Sequence, residues 1–328
     1  MSSWRPTHNH NSTLSRANRI LELDIAMKKR ELPHKKIKFV EYKTPECTDT
    51  AVILVFFNPA SSIRIQQNIL YVKHQLERAK IPIFIGEMAF YNEPSLFEES
   101  PSTFIFRSSS YMFYKEHLIN LVMAKPVVRV FQKYVILDAD IIFDDINWID
   151  KISSALNTYD IIQPYEYACR LTKQFTVEEV IYSICKKEKE GHPGYAWAFR
   201  RDWYDRIGGL YDHAVIGGGD ACLVYKIGTS NIYIPAVYSK EIERSKINTN
   251  IGFISGIIYH LPHGAFIKRQ HTTRMSDLEN TLKSLQISTL SDAVEGIEGI
   301  LEWKQQYKDV MNKTLLQFFQ NREDDNFD

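Results

Sequence analysis

Cysteine is scarce and scattered: Cys47, Cys169, Cys185 and Cys222 are the only four in 328 residues, and no pair has a CxxC spacing. That gives no support to a zinc ribbon or a dithiol redox motif, and isolated cysteines fit a reducing compartment. An excess of one charge is also lacking, with 40 Lys+Arg against 40 Asp+Glu and a formal net charge of +0. A general nucleic-acid binder carries a basic excess, so nucleic acid is not expected as a partner, whereas a local basic pocket for a diphosphate remains compatible. No uninterrupted apolar run is long enough to cross a bilayer. The start, MSSWRPTHNHNSTLSRANR, is polar and has no apolar core of the kind a secretory signal carries. The expectation is a cytoplasmic protein without a transmembrane segment. Internal repeats and low-complexity tracts are absent.

What is present is enough chain to bury a large core. Residues 1–48 read as an extension, partly disordered, with the basic stretch Lys28-Lys29-Arg30, Lys35-Lys36 and Lys38. Such a stretch is either a solvated, partly helical tail or a surface that meets an anionic membrane or a partner. From Ala51 the run AVILVFF predicts a strand buried on both faces. A helix follows through about Lys80, with Ile65, Ile69, Val72 and Leu76 on one face, and IPIFIGE predicts a second strand. Strand, helix, strand is the unit of a parallel α/β sheet. Further expectations are a strand at 103–107, a helix at 109–125, a strand at 134–143 and a strand in YAWAF. Residues 276–328 read as a helical extension: a capping box of Ser276 with Glu279, then an amphipathic helix from about Ser291 to Phe319 and a disordered tail, NREDDNFD.

Three constellations carry chemistry. In YVILDADIIF two carboxylates, Asp138 and Asp140, interrupt a buried apolar strand, which is unfavourable unless the charges have a partner. In doubly wound sheets ligands sit beyond the carboxyl ends of strands. Paired carboxylates there suit a hard divalent ion, Mn²⁺ or Mg²⁺, bridging to substrate phosphates. The second is HPGYAWAFRRDWYDRIGGLYDHAVIGGGD, in which Gly194 and Tyr195 precede Trp197, and Gly217-Gly218-Gly219 presents Asp220 at the start of a helix. Trp197 either packs on a sugar ring or fills the core. Asp220 is either a general base for an acceptor hydroxyl or a plain helix cap. The third is YHLPHGAFIKRQHTTR, where His263 is followed by Lys268, Arg269 and Arg274. A neutral histidine is a good ligand for a Mn²⁺-type ion, and neighbouring cations suit a diphosphate. Each of His260, His263 and His271 is otherwise an ordinary satisfied histidine.

In this order the segments VFFNP, IPIFIGE, SSSYMFYKEHLINL, LDADIIFDDINW, GYAWAFRRDWYDRIGGLYD, IGGGD and HLPHGAFIKRQ resemble GT-A fold glycosyltransferases. They are most similar to the stand-alone domains of large DNA viruses of the chlorovirus type and to related bacterial proteins. The resemblance covers roughly residues 50–275 and implies one GT-A domain over 49–275, in the host cytoplasm if the source is viral. It implies a donor substrate that is a nucleotide diphosphate sugar, with UDP favoured, and a glycan or glycoprotein acceptor. Phe56, Asn58 and Pro59 would flank the base, and Glu87 would sit near the base or ribose. Lys115 and Asn120 would reach the nucleotide or donor sugar. Arg64, Ala139, Lys268 and Arg269 fall on the nucleotide side. Asp138 would touch the ribose and, through water, the metal; Asp140 and His263 would ligate the metal directly. Asp220 would be the base of an inverting transfer, and Gly194, Tyr195, Trp197 and Gly219 would line the sugar and acceptor pocket. One departure is Gly219-Asp220, where many GT-A enzymes place Glu-Asp, so the base rests on one carboxylate.

The near alternative is a retaining glycosyltransferase. A sugar-nucleotide nucleotidyltransferase would need a Gly-rich, Lys/Arg-containing loop after the first strand, and FFNPASSIR is not one. A non-catalytic binding protein with a degenerate site is disfavoured by the intact Asp138, Asp140, Asp220 and His263 set.

Overall fold

In the computed structural model, which describes residues 36–91, 93–187, 191–228, 232–265, 268 and 273–326, the run TAVILVFF forms β1 (Thr50–Phe57). Its successive side chains point opposite ways: Ala51, Ile53 and Val55 enter one core cluster, and Val52, Leu54 and Phe56 enter another. A strand apolar on both faces can only sit inside a covered sheet. The chain then forms α1 (Ile63–Arg78), β2 (Ile83–Phe90), β3 (Thr103–Ser108), α2 (Lys115–Met123) and β4 (Lys133–Leu137). β1 pairs in parallel with both β2 and β4, and β2 with β3.

Beyond β4 come β5 (Ile141–Phe143), α3 (Trp148–Ala155), β6 (Ile161–Gln163), β7 (Tyr167–Leu171), β8 (Val177–Ser183), β9 (Gly191–His192) and β10 (Ala196–Arg200). Then follow α4 (Arg201–Arg206), α5 (Gly219–Ile227), β11 (Ile251–Phe253) and β12 (Ile257–His260). The seven-stranded central sheet has the order β11-β6-β10-β4-β1-β2-β3, with β10 antiparallel to its neighbours. A second sheet, β5-β12-β7-β8-β9, carries the other wall of the cleft. This is the mixed, mainly parallel α/β sheet flanked by helices that the sequence predicts. Among the described residues no helix is long and apolar enough to cross a membrane.

Several boundaries differ from the sequence expectations, each for a local reason. The strand expected over 134–143 is two strands in two sheets, because the chain turns at Asp138-Ala139-Asp140. The helix expected over 109–125 begins at Lys115. Ser109 and Ser110 instead donate their hydroxyls to the Glu302 carboxylate, at 3.1 and 2.5 Å, and hold that stretch out of helix. After α6 (Arg274–Ser284) the expected long helix is broken by a hairpin, β13 (Val294–Ile297) and β14 (Ile300–Trp303), before α7 (Gln305–Asn321). Glu298 and Gly299 supply the positive φ values, 52° and 83°, that a tight two-residue turn needs. The capping box forms at Thr289 with Asp292, whereas the Ser276 hydroxyl donates to the Thr273 carbonyl.

The stretch expected as a disordered tail, through Asn326, packs on the body, and Asp324 is buried. Part of the expected N-terminal extension also packs: the Ile37 amide donates to the Phe175 carbonyl at 2.7 Å, and the Phe143 amide to the Tyr42 hydroxyl at 2.8 Å. Lys28, Lys29, Arg30 and Lys35 lie outside the described residues.

Candidate active site

At the carboxyl ends of β1 and β4 the chain leaves the sheet and opens a cleft of about 380 Å³. The turn after β4 is fixed by its backbone. The Asp138 amide donates to the Tyr195 carbonyl at 2.9 Å, and the Ile141 amide returns to the Asp138 carbonyl at 3.2 Å. Both carboxylates thereby line the cleft.

Asp140 faces two histidines from the end of β12. Its Oδ2 is 2.8 Å from His263 Nε2 and 3.5 Å from His260 Nε2. The Leu261 amide donates to the Asp140 carbonyl at 2.8 Å, which ties the two chain segments together. One donor atom from each of the three side chains lies within 4.8 Å of the other two. A carboxylate oxygen with two imidazole nitrogens is a donor set that fits a divalent ion of the Mn²⁺ class.

Asp138 belongs to a neighbouring ion cluster. Lys115 Nζ, from the first turn of α2, is 2.6 Å from Asp138 Oδ1 and 2.9 Å from Asp220 Oδ2. Burial opposes charge on Lys115, but the Asp138 and Asp220 carboxylates outweigh it and hold the ammonium above its ordinary pKa. Removal from water pushes the Asp138 carboxyl up, with Lys115 pulling the other way. Asp220 sits in the first turn of α5, whose cap, Gly218, has φ 95°. A helix N-terminus favours an anion there.

Beside this cluster lies Glu116, only 3% exposed. Its Oε2 has no hydrogen-bond partner among the described residues. Burial pushes this carboxyl up to about 8 despite Lys115. Tyr195, which also lines the cleft, adopts φ 81°, an uncommon conformation for a bulky residue. Its ring stacks on His192 at 4.4 Å, and its hydroxyl accepts from Arg170 Nε at 3.1 Å. Such strain persists only where surrounding contacts over-determine it, and it clusters at functional sites. Arg274 also lines the cleft, and burial lowers its pKa. Its Nε has no hydrogen-bond partner among the described residues, which leaves it available to an anion.

The structure brings most of the expected site together. Phe56, Asn58, Pro59, Lys115, Asp138, Ala139, Asp140, Gly194, Tyr195, Asp220 and His263 all line the one cleft. Glu87 lines a separate, smaller cavity that shares Phe56 and Asn58 as walls, and its carboxylate accepts from the Leu96 and Phe97 amides at 2.7 and 3.0 Å. Gly219 sits behind the cleft, packed against Glu116.

Four expected residues stand elsewhere. Trp197 is 1% exposed in the core, its indole N–H donating to the Pro193 carbonyl at 2.7 Å, so its face is not offered to a sugar. Asn120 bonds Tyr204 and Leu210 and braces the loop after α4. Arg64 is in the first turn of α1, its amide donating to Asp325 at 2.7 Å. Lys268 is exposed and pairs with Glu323 at 3.0 Å. Arg269 and His271 lie outside the described residues.

Sequence reasoning left Glu116, His260, Arg170, His192, Arg322 and Asp324 out of the site, and all of them line it. For His260 a signal existed: His-Leu-Pro-His puts two histidines three apart at a strand end. The others reach the cleft through tertiary packing and leave no local pattern.

No family model and no curated protein matches this chain. Solved structures do. The catalytic domain of Drosophila β1,4-galactosyltransferase 7 is 14% identical, over 61% of this chain and 66% of that one, with a TM-score of 0.33. Crystals of that fly enzyme have been described with xylobiose and, for a mutant, with manganese and UDP-Gal as well. A putative nucleotide-diphospho-sugar transferase from Desulfovibrio desulfuricans is 11% identical, over 73% of this chain and 97% of that one, also with a TM-score of 0.33. These matches bring no support to a specifically viral likeness.

Proposed function

We propose that this chain is a metal-dependent glycosyltransferase that moves a sugar from a nucleotide diphosphate sugar, UDP-linked in the first instance, to a glycan hydroxyl. One observation carries the reading: the Asp140–His260–His263 donor set stands beside the Lys115-bridged pair of Asp138 and Asp220, in one cleft at the carboxyl ends of the parallel strands. Asp140, His260 and His263 would hold the ion, with Asp138 on the nucleotide side. A bound divalent ion supplies charge compensation for a departing diphosphate.

The chain's own groups do the rest. Arg274 is a partly buried cation on the cleft wall whose Nε is buried, suited to a phosphate. Lys115 holds the Asp220 carboxylate in place through both of its oxygens, at 3.1 and 2.9 Å. Asp220 takes the proton of the acceptor hydroxyl as its oxygen bonds to the anomeric carbon. The bond from that carbon to the diphosphate breaks, and its electron pair leaves with the diphosphate. Attack from the face opposite the diphosphate inverts the anomeric centre.

A nucleotidyltransferase is further disfavoured. The N-terminus of α1, where a phosphate loop would place its anion, is taken by Asp325, which accepts from Ser62 Oγ at 2.8 Å and the Arg64 amide at 2.7 Å.

The test is a thermal-shift panel of UDP-, GDP- and CMP-sugars with and without Mn²⁺, followed by donor hydrolysis in wild type and Asp140→Ala. A Mn²⁺-dependent shift with one nucleotide class, and hydrolysis lost in the variant, are expected. No metal-dependent response to any nucleotide sugar would sink the reading. An α-linked product from an α-linked donor would remove Asp220 from the base role and leave a retaining transferase.

A further inference from the structure

The segment after α7 turns back into the cleft. Glu323 takes φ 48°, and the next residue, Asp324, is 6% exposed. Asp324 Oδ1 lies 2.9 Å from His263 Nδ1, and its backbone carbonyl accepts from the Gly264 amide at 2.9 Å. Arg322 Nε is 3.1 Å from the other carboxylate oxygen. The fit is close: a Cβ added at Gly264 would stand 3.0 Å from the Arg322 carbonyl oxygen and 3.1 Å from Asp324 Cα. Asp325, next along, caps α1 through Ser62, Ile63 and Arg64. Two consecutive carboxylates thus fasten this segment to two walls of the cleft.

A carboxylate can only accept from an imidazole nitrogen, so Nδ1 carries a proton toward Asp324; Nε2 does the same toward Asp140 until a cation takes that proton's place, which leaves Nε2 as the coordinating nitrogen while Asp324 keeps the proton on Nδ1. The opposite nitrogen, Nε2, is the one that faces Asp140 at 2.8 Å. A carboxylate behind a ligating histidine fixes the ring, selects the coordinating nitrogen and raises its basicity. We propose that Asp324 is a positioning residue of the metal site, and that the segment following α7 is thereby a working part of that site, presenting His263 to a divalent cation through Nε2. The inference rests on the metal-dependent reading above. It adds that metal affinity depends on residues more than 180 positions away from the Asp138-Ala139-Asp140 turn.

The test uses the full chain and Mn²⁺ alone, with affinity read by electron paramagnetic resonance of free Mn²⁺ and folding by a cooperative thermal melt. Asp324→Ala is expected to weaken Mn²⁺ binding about tenfold or more, and Asp324→Asn, which keeps an acceptor oxygen, by a smaller factor. His263→Ala serves as the reference for loss of a ligand. Mn²⁺ bound by Asp324→Ala within about twofold of wild type, while His263→Ala binds far more weakly, overturns the positioning role. Wild type that binds no Mn²⁺ overturns the metal reading itself, a distinct result. Should Asp324→Ala fail to fold, the histidine ¹⁵N spectrum of the wild-type protein loaded with diamagnetic Zn²⁺ decides. Coordination of His263 through Nε2 with a protonated Nδ1 supports the proposal, and coordination through Nδ1 overturns it.

Discussion

Glu116 occupies the space that any side chain at position 219 would need: a Cβ built on Gly219 would stand 2.0 Å from Glu116 Cδ. The glycine that leaves Asp220 without an acidic neighbour in sequence has one in space, contributed by α2. Glu116 is buried there and also lines the cleft, so making room at position 219 means moving its buried carboxylate within the cleft wall.

Gly219→Ala is therefore expected to destabilise the fold by about 1–3 kcal/mol, the usual range for forcing volume into a packed site. Urea unfolding measures it. Trimming the partner should relieve the clash, so the double variant Gly219→Ala/Glu116→Ala should lose less than the two single losses added together. Strict additivity would show that the two positions do not compete for space.

Glu116 also gives stability a pH dependence. Its folded pKa, about 8, is raised above the ordinary 4.5, so the folded protein binds this proton more tightly than the unfolded chain. Its contribution is full below the lower value and is lost as pH rises through the higher one. Wild type should lose more stability between about pH 5 and about pH 9 than Glu116→Gln, which has no proton to release. Urea titrations at the two pH values check this, and parallel losses in both proteins would contradict it.

Lys115→Met removes the cation between Asp138 and Asp220. Breaking a largely buried pair leaves uncompensated carboxylates and costs about 3 kcal/mol as an order of magnitude. Since Asp138 and Asp220 remain partly exposed, the lower side of that range is expected. The loss should shrink in acid, where the Asp138 carboxyl, pushed up by burial, takes up its proton, and comparing chemical unfolding of variant and wild type at neutral and acidic pH reads it directly.

Trp197→Ala tests the placement of that ring. As a core residue it should cost about 3–5 kcal/mol of stability, the range for deleting a large aromatic. Trp197→Phe should keep most of the fold and leave Mn²⁺-dependent donor hydrolysis close to wild type. A selective loss of turnover in a stable Trp197→Phe protein would return the ring to the acceptor pocket.

Much of the fold was legible because its signals are local. The β1 run, the periodic face of α1 and the apolar stretch into Asp138 each lie within one short window, and burial on two faces follows from composition alone. The DxD pair was legible because two carboxylates that interrupt an apolar run are conspicuous, although they prove to sit in a turn between two strands. Boundaries failed where a distant partner overrides local preference. Glu302 draws Ser109 and Ser110 out of the helix that their neighbours favour, and the turn at Glu298-Gly299 breaks a helical period.

By itself, then, the sequence determined a parallel α/β sheet, a carboxylate turn at a strand end, a glycine-framed Asp220 and a histidine segment near residue 263. Only the tertiary structure decided that His260 joins Asp140 and His263, that Glu116 stands against Gly219, that Trp197 faces the core and that Asp324 backs His263. The physical reason is the same in each case. Period and propensity act over a few neighbouring residues, whereas a ligand set is completed by side chains that only packing brings within hydrogen-bonding distance.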